Sequence, residues 1–297
     1  MYDLLGIGRA ALQAQQTRLA VTADNIANVN TTAFKLARVN FHDVLSQTIR
    51  WTSLAPTGVG VTNPSQIGLG IAIAAIDNTF TQGGLVATGR VTDVAIQGNG
   101  FFAVKDASDP DETKHKIYYT RDGSFYFNKD GYLTNTLGFR VLDVNGEDIQ
   151  LDTTDPANKI NTLSISREGI ITGTRSDGTP ITFSNGEVKV QIGLVYFSNP
   201  ESLMKEGQNL YSPSVTTEGA TDEAGTPLEP LQIMQNKIGA PGTEGRGTIE
   251  SGSLEMSNVD LTTEFANLII TQRGYQANAR VITTSDQMLG ELIDLKR

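Results

Sequence analysis

The chain has 297 residues, 38% hydrophobic and 19% charged, with a formal net charge of −10 and no cysteine. That length suits one large or two ordinary domains, and the acidic balance argues against a nucleic-acid binder, which needs clustered Lys and Arg to neutralise phosphates. Without cysteine there are no thiol nucleophiles, Cys-ligated zinc sites or iron–sulfur clusters.

The opening stretch, MYDLLGIG, has neither the basic n-region nor the long apolar h-region of a secretory leader, so no cleaved signal is expected. Residues 1–30 read as a helix. Leu5, Leu12, Leu19 and Ile26 recur every seven residues, and Ile7, Ala14 and Val21 fall two places later in each repeat. A repeat of seven is the mark of a coiled-coil-like seam, although an amphipathic helix lying on its own core gives the same pattern. The helix runs into DNIANVNTTAFK, Asp24 to Lys35. Thr31 and Thr32 continue helices poorly, so the helix is expected to end there. Asn25 and Asn28 are three apart and share a face, where polar groups would fix the register of an apolar seam. Capping by Asn30 and Thr31 is the alternative.

Residues 31–72 and 234–257 read as a connecting region of extended segments and loops. Within it Ser46 to Gln66 is rich in Thr, Ser, Gly and Pro, with Pro56, Gly58, Gly60 and Pro64 permitting either a mobile loop or a rigid one. The run Ile67 to Ile76 is too short and glycine-rich to cross a membrane. Residues 73–233 read as all-β, with alternating runs broken at Asp122-Gly123, Asp130-Gly131 and Asn145-Gly146, the last a hairpin signal. Gly98-Asn99-Gly100 joins two apparent strands and is expected to be a hairpin turn. Glu218 to Pro230 and Gly239 to Thr248 read as linkers.

The chain closes on a longer helix, 258–297. Leu261, Leu268, Tyr275, Ile282 and Leu289 recur every seven residues, with Phe265, Ala279 and Ile293 forming a second row. Asp260 is placed to cap it, Glu264 suits its positive end, and Lys296 and Arg297 suit the other end. Its length is on the order of 50 Å. Gly274 and Gly290 are flaws in it unless they permit close helix approach. If the two terminal helices emerge together from the β body they lie antiparallel. The expected fold is α+β and multidomain: an inner coiled-coil-like helical domain from both chain ends (1–30 and 258–297), the connecting region, and an all-β outer domain (73–233).

Enzymatic chemistry finds no support. His42 and His115 lack metal-ligand spacing partners, and no nucleophile elbow, zincin or P-loop motif occurs. Asp143-Val144-Asn145-Gly146 lacks most of a calcium loop's ligands. Asp109/Asp111 and Asp222/Glu223 read as surface charge. No catalytic residue, cofactor or metal is expected.

The terminal motifs carry a resemblance. DNIANVNTTAFKLARVNFHD resembles the N-terminal signature of the bacterial flagellar hook and rod axial proteins, matching at Asn25, Ile26, Ala27, Asn28, Val29, Asn30, Thr31, Phe34, Lys35 and Phe41. Ala33 stands where that family usually has glycine. Gly89 to Val104, YTRDGSFYFNKDGYL, and Leu254 to Arg297 are similar to its central β segments and C-terminal signature. The resemblance implies a structural subunit that polymerises into a helical tube outside the cytoplasmic membrane. It implies export through the flagellar type III apparatus without a cleaved signal, and other axial proteins at the tube's ends: rod, hook cap or hook–filament junction. Within the family, LEMSNVDLT and TTSDQMLGELIDLKR lean toward the short hook type, a flexible universal joint, with the distal rod, a rigid drive shaft, as the alternative. A β-rich surface adhesion module with a helical stalk is the reading from another class. The subunit interface implied comprises Leu5, Leu12, Leu19, Asn25, Ile26, Asn28, Asn30, Phe34, Leu261, Phe265, Leu268, Tyr275, Ile282, Leu289 and Ile293. Apolar stripes that one helix pair cannot cover predict termini loosely ordered in the monomer and ordered on assembly.

Overall fold

A computed structural model describes residues 2–51, 63–107, 115–152, 160–184, 186–214, 217, 232, 234 and 237–295. The chain divides into two compact units. A helical unit comprises Met1–Val29, Leu36–Thr79 and Val259–Arg297, and a β unit comprises Asn30–Lys35 and Phe80–Asn258. Leu36–Thr79 thus belongs with the two helices, and Asn30–Lys35 with the β strands.

In the helical unit α1 spans Tyr2–Ala27 and α2 spans Leu261–Asp294. They pack antiparallel: Gly8 lies against Ile282, Gln15 against Gly274, and Asn25 bonds Glu264. The Asp260 side chain caps α2, accepting from Thr262 N at 3.1 Å and from Thr263 Oγ1 at 2.7 Å. Those bonds hold its carboxyl below the usual carboxylate range. The end of α1 falls earlier than expected. Asn28 N still reaches Asp24 O at 3.1 Å, but Val29 N turns to Ile26 O at 3.4 Å, a tighter closing turn. Thr31 and Thr32 lie beyond the helix and belong to the β unit.

Two antiparallel ribbons complete the helical unit. β1 (Ala37–Asp43) pairs with β4 (Ile71–Asn78), with a register shift between Asn40 and Phe41. β2 (Ser46–Arg50) pairs with β3 (Ser65–Gly68). The stretch read as a loop therefore has paired ends; Pro56, Gly58 and Gly60 lie outside the described residues, as do Asp109, Asp111, Glu218 to Pro230, Lys296 and Arg297.

The β unit is built on β7 (Phe101–Lys105), which pairs with β8 (Ile117–Thr120), β11 (Arg140–Val141) and β15 (Leu194–Val195). Among the described residues these belong to a nine-stranded sheet. It is extended by β9 (Phe125–Phe127), β10 (Leu133–Asn135), β16 (Met204–Gly207), β17 (Leu210–Ser212) and β18 (Ile238–Gly239). The unbroken run FFAV reflects a strand covered on both faces. Phe102 and Val104 join one core with Val94, Phe125 and Ile192, while Phe101 and Ala103 join another with Tyr119, Phe197 and Tyr211. A smaller sheet holds β12 (Ile160–Ile165), β13 (Ile170–Arg175) and β14 (Val190–Gln191).

Two separate pairs bring distant segments together: β5 (Leu85–Ala87) with β20 (Ser253–Glu255), and β6 (Val94–Gln97) with β19 (Thr248–Ser251). This corrects the reading of Gly98-Asn99-Gly100. β6 and β7 do not pair with each other, so the segment is a corner between sheets, with both glycines at positive φ (113° and 135°). At Asp130-Gly131 the expected strand break is the turn of a hairpin between β9 and β10. At Asn145-Gly146 the Asp143 carboxylate accepts from the amides of Asn145 and Glu147, both at 2.8 Å. That backbone capping is the role of the carboxylate that superficially resembled a calcium ligand.

Ala33, at the family's glycine position, has φ +57° and is buried. A β-branched side chain is strained there and overpacked. Ala33→Val should cost more than about 2 kcal/mol in urea unfolding, whereas Ala33→Gly should stay within about 1 kcal/mol of the parent, since lost methyl packing offsets relieved strain. Equal effects would show that the left-handed turn is not retained.

Candidate assembly surface

Each terminal helix has an unexpected division of labour. The fully buried residues of α2 are Glu264 and Thr271. Meanwhile Phe265 is 50% exposed, Ile270 60% and Ile293 67%, and Leu261 and Tyr275 are exposed too. Among the residues of α1 from Leu5 on, those fully buried are Gly8, Ala14, Thr22 and Asn25. The rows read as the seam, Leu5, Leu12, Leu19 and Ile26 on α1 and Leu268, Ile282 and Leu289 on α2, are half-buried. Small and polar side chains thus join the pair, and much of the large apolar surface stays outside it.

Asn25 is the centre of this joint. Its amide nitrogen donates to Glu264 Oε2 at 3.0 Å and to Ala37 O at 2.9 Å, and its oxygen accepts from Ala37 N at 3.0 Å. It pairs with the first residue of β1 as a strand neighbour would, while binding the opposite helix. Glu264 Oε1 accepts from Asn267 at 3.0 Å. The carboxylate expected to serve the helix end is therefore a buried, bonded anchor. Asn28 lies on the same side but bonds within its own turn, to the carbonyl and carboxylate of Asp24, each at 2.9 Å. Asn30 is exposed.

Glycine matters in the joint, but not where expected. A Cβ at Gly8 would lie 2.8 Å from Ile282 Cγ1, so Gly8 permits close approach. A Cβ at Gly274 would meet Gln15 at an ordinary 3.4 Å, and one at Gly290 would meet open space.

The rest of the N-terminal signature is seated in the β unit. Phe34 is buried, with Lys205 Nζ 4.4 Å from its ring centroid. Lys35 Nζ lies 2.6 Å from Glu255 Oε1 and donates to Thr81 O at 2.7 Å. Arg121 adds a 3.3 Å contact to Glu255 Oε2 and donates to Gly98 O at 2.8 Å. Gly83 N donates to Glu255 Oε1 at 2.9 Å, and Ala33 N to the Glu255 carbonyl at 2.8 Å. All three charged side chains are buried. Burial pushes the Lys35 ammonium down from its ordinary pKa, Glu255 pulls it back up, and Arg121 pushes it down again. The signature TTAFK was legible; its partners Glu255 and Arg121 were not.

Further apolar surface lies on the β2–β3 ribbon, where Ile49 and Ile67 are exposed, and beside it at Leu45 and Trp51. A two-stranded ribbon is marginal alone in water. Among the described residues no group of acidic, His or Cys side chains is arranged to hold a metal, and no helix is long and apolar enough to cross a membrane.

Residues 5–35 match a family described as flagella basal body rod protein. Residues 95–173 match the flagellar hook protein FlgE/F/G D1 domain, and residues 250–295 match the flagellar basal body rod FlgEFG protein C-terminal. The chain is 39% identical to the flagellar basal-body rod protein FlgG of Bacillus subtilis (strain 168), over 98% of this chain and 97% of that one. It is 35% identical to the FlgG of Borreliella burgdorferi, over 100% of both. It is 28% identical to the flagellar hook protein FlgE of that species, over 97% of this chain and 98% of that one, in an alignment 441 residues long.

Removing the Asn25 amide strands a buried carboxylate and two backbone groups. Asn25→Ala should cost roughly 2–4 kcal/mol, seen as a fall in the helical melting transition, whereas Asn28→Ala should cost about 1 kcal/mol or less. Equal losses would mean that Asn25 does not join the helices.

Proposed function

The chain belongs to the bacterial flagellar hook and rod axial protein family, and from that membership we propose that it is a rod subunit of the basal body rather than a hook subunit. The chain is a structural subunit of the flagellum. The finer assignment is supported by alignment length. The rod proteins align nearly end to end, over 290 residues for the Bacillus subtilis relative, while the hook protein needs 441 positions to accommodate this chain. The hook reading taken from LEMSNVDLT and TTSDQMLGELIDLKR gives way to the rod reading on that comparison. The adhesion-module reading falls with family membership.

Polymerisation is carried by one observation: α2 buries Glu264 and Thr271 while exposing Phe265, Ile270 and Ile293. Each large apolar side chain covered by a neighbouring copy contributes about 1.5–3 kcal/mol. Assembly of many copies therefore finishes the burial that the single chain leaves incomplete. The interface in this proposal comprises the exposed and half-buried members of the two helical rows. Asn25, buried between the two helices, supports it from behind, whereas Phe34 is buried in the β unit. Torque transmission along a stiff shaft, unfolded export through the flagellar type III apparatus, and other axial proteins at the tube's ends belong to the same proposal.

Electron microscopy of the purified, concentrated protein should show straight tubes; curved tubes would return the hook reading, and persistent monomers would remove both. Phe265→Asp and Ile293→Asp should leave monomer helicity unchanged and raise the concentration needed for assembly at least about tenfold, since a buried charge is costly. Assembly at the parental concentration would place the interface elsewhere. Amides of Leu261–Asp294 should gain hydrogen-exchange protection on assembly, and full protection already present in the monomer would contradict coupled ordering.

A further inference from the structure

We propose that Lys35, Glu255 and Arg121 form a closing latch, through which the β unit shuts around the Lys35 and Arg121 charges only once the segment around residue 255 is seated in it. The inference does not depend on the rod reading. It rests on where the three groups come from and on their charge balance.

The segment Asn30–Lys35 belongs to the β unit although Leu36–Thr79, which follows it, belongs to the helical unit. Glu255 lies 220 positions further along than Lys35 and ends β20, the last strand of the unit. The two meet in a dry site, both with fully buried side chains, and Arg121 is nearly as enclosed. Two cations therefore share one carboxylate. The Arg121 charge acts directly against the Lys35 charge. Take Glu255 away and two unscreened like charges face each other in low dielectric, which opposes closure outright. Take Lys35 away and Arg121 still balances Glu255.

The backbone reinforces the same dependence. Glu255 accepts from Ala33 N through its carbonyl and from Gly83 N through its carboxylate, and its strand pairs with β5. Asn209 donates its side-chain amide to Thr32 O at 2.6 Å, tying the N-terminal segment to the turn before β17. A chain whose residues beyond about 250 are not yet available has no counter-charge for Lys35 and Arg121. Its β unit stays open until β20 arrives, and α2 follows immediately.

The test is native-state hydrogen exchange on full-length protein, read at the amides of β6, β7 and β8. Glu255→Gln should speed exchange there about 100-fold, Lys35→Met alone by less than about tenfold, and Lys35→Met combined with Glu255→Gln should recover at least about tenfold of the loss. A loss of packing alone predicts the opposite order, with the double variant the worst. If Glu255→Gln does not fold, the double variant is compared with it: recovered folding supports the latch, and two unfolded variants overturn it. Exchange in Glu255→Gln within about threefold of the parent, or a double variant no better than the single, also overturns it.

Discussion

Asn25 and Glu264, both polar and both buried, set the organisation of the helical unit. Because the side-chain amide spends its two N–H groups on Glu264 and on the Ala37 carbonyl, the N-terminal helix, the C-terminal helix and the first strand meet at one point. Such a joint fixes register rather than adding bulk adhesion. Close approach at Gly8 continues it further along the pair. Large apolar side chains are then left free on the outside. A helix pair glued by leucines would have hidden that surface.

The β unit follows a comparable rule at its own core edge. Its strands are short, and its corners turn on glycines. At Gly123 a Cβ would overlap the Val94 carbonyl, so only a residue without a side chain lets that turn approach β6. What joins the sequence-distant segments is again a polar group in a dry place. In both units, charged or amide side chains specify which segments meet, and apolar packing supplies most of the cohesion.

The sequence revealed the features that depend on local pattern. The two terminal helices were legible from their periodicity, the start of α2 from Asp260, and the break between β9 and β10 from Asp130-Gly131. The antiparallel helix pair followed from chain topology. The Gly98 corner was misread because a hairpin and a corner between sheets call for the same residues; strand partners alone tell them apart. The end of α1 was placed too late because Asn28 to Asn30 form a closing turn that propensity does not resolve. The anchoring roles of Glu264 and Glu255 had no local signal, since their partners lie 239 and 220 positions away. The seven-residue rows were visible, but not that the helices would meet largely through small and polar residues.

The bare ribbon of β2 and β3 has an optical consequence. Trp51, the chain's single tryptophan, sits just past β2 and is 77% exposed. An indole in water emits at long wavelength and is open to collisional quenchers; one packed in a dry contact is neither. The native protein therefore carries its own fluorophore beside an exposed ribbon, and its colour would report any surface that came to cover it.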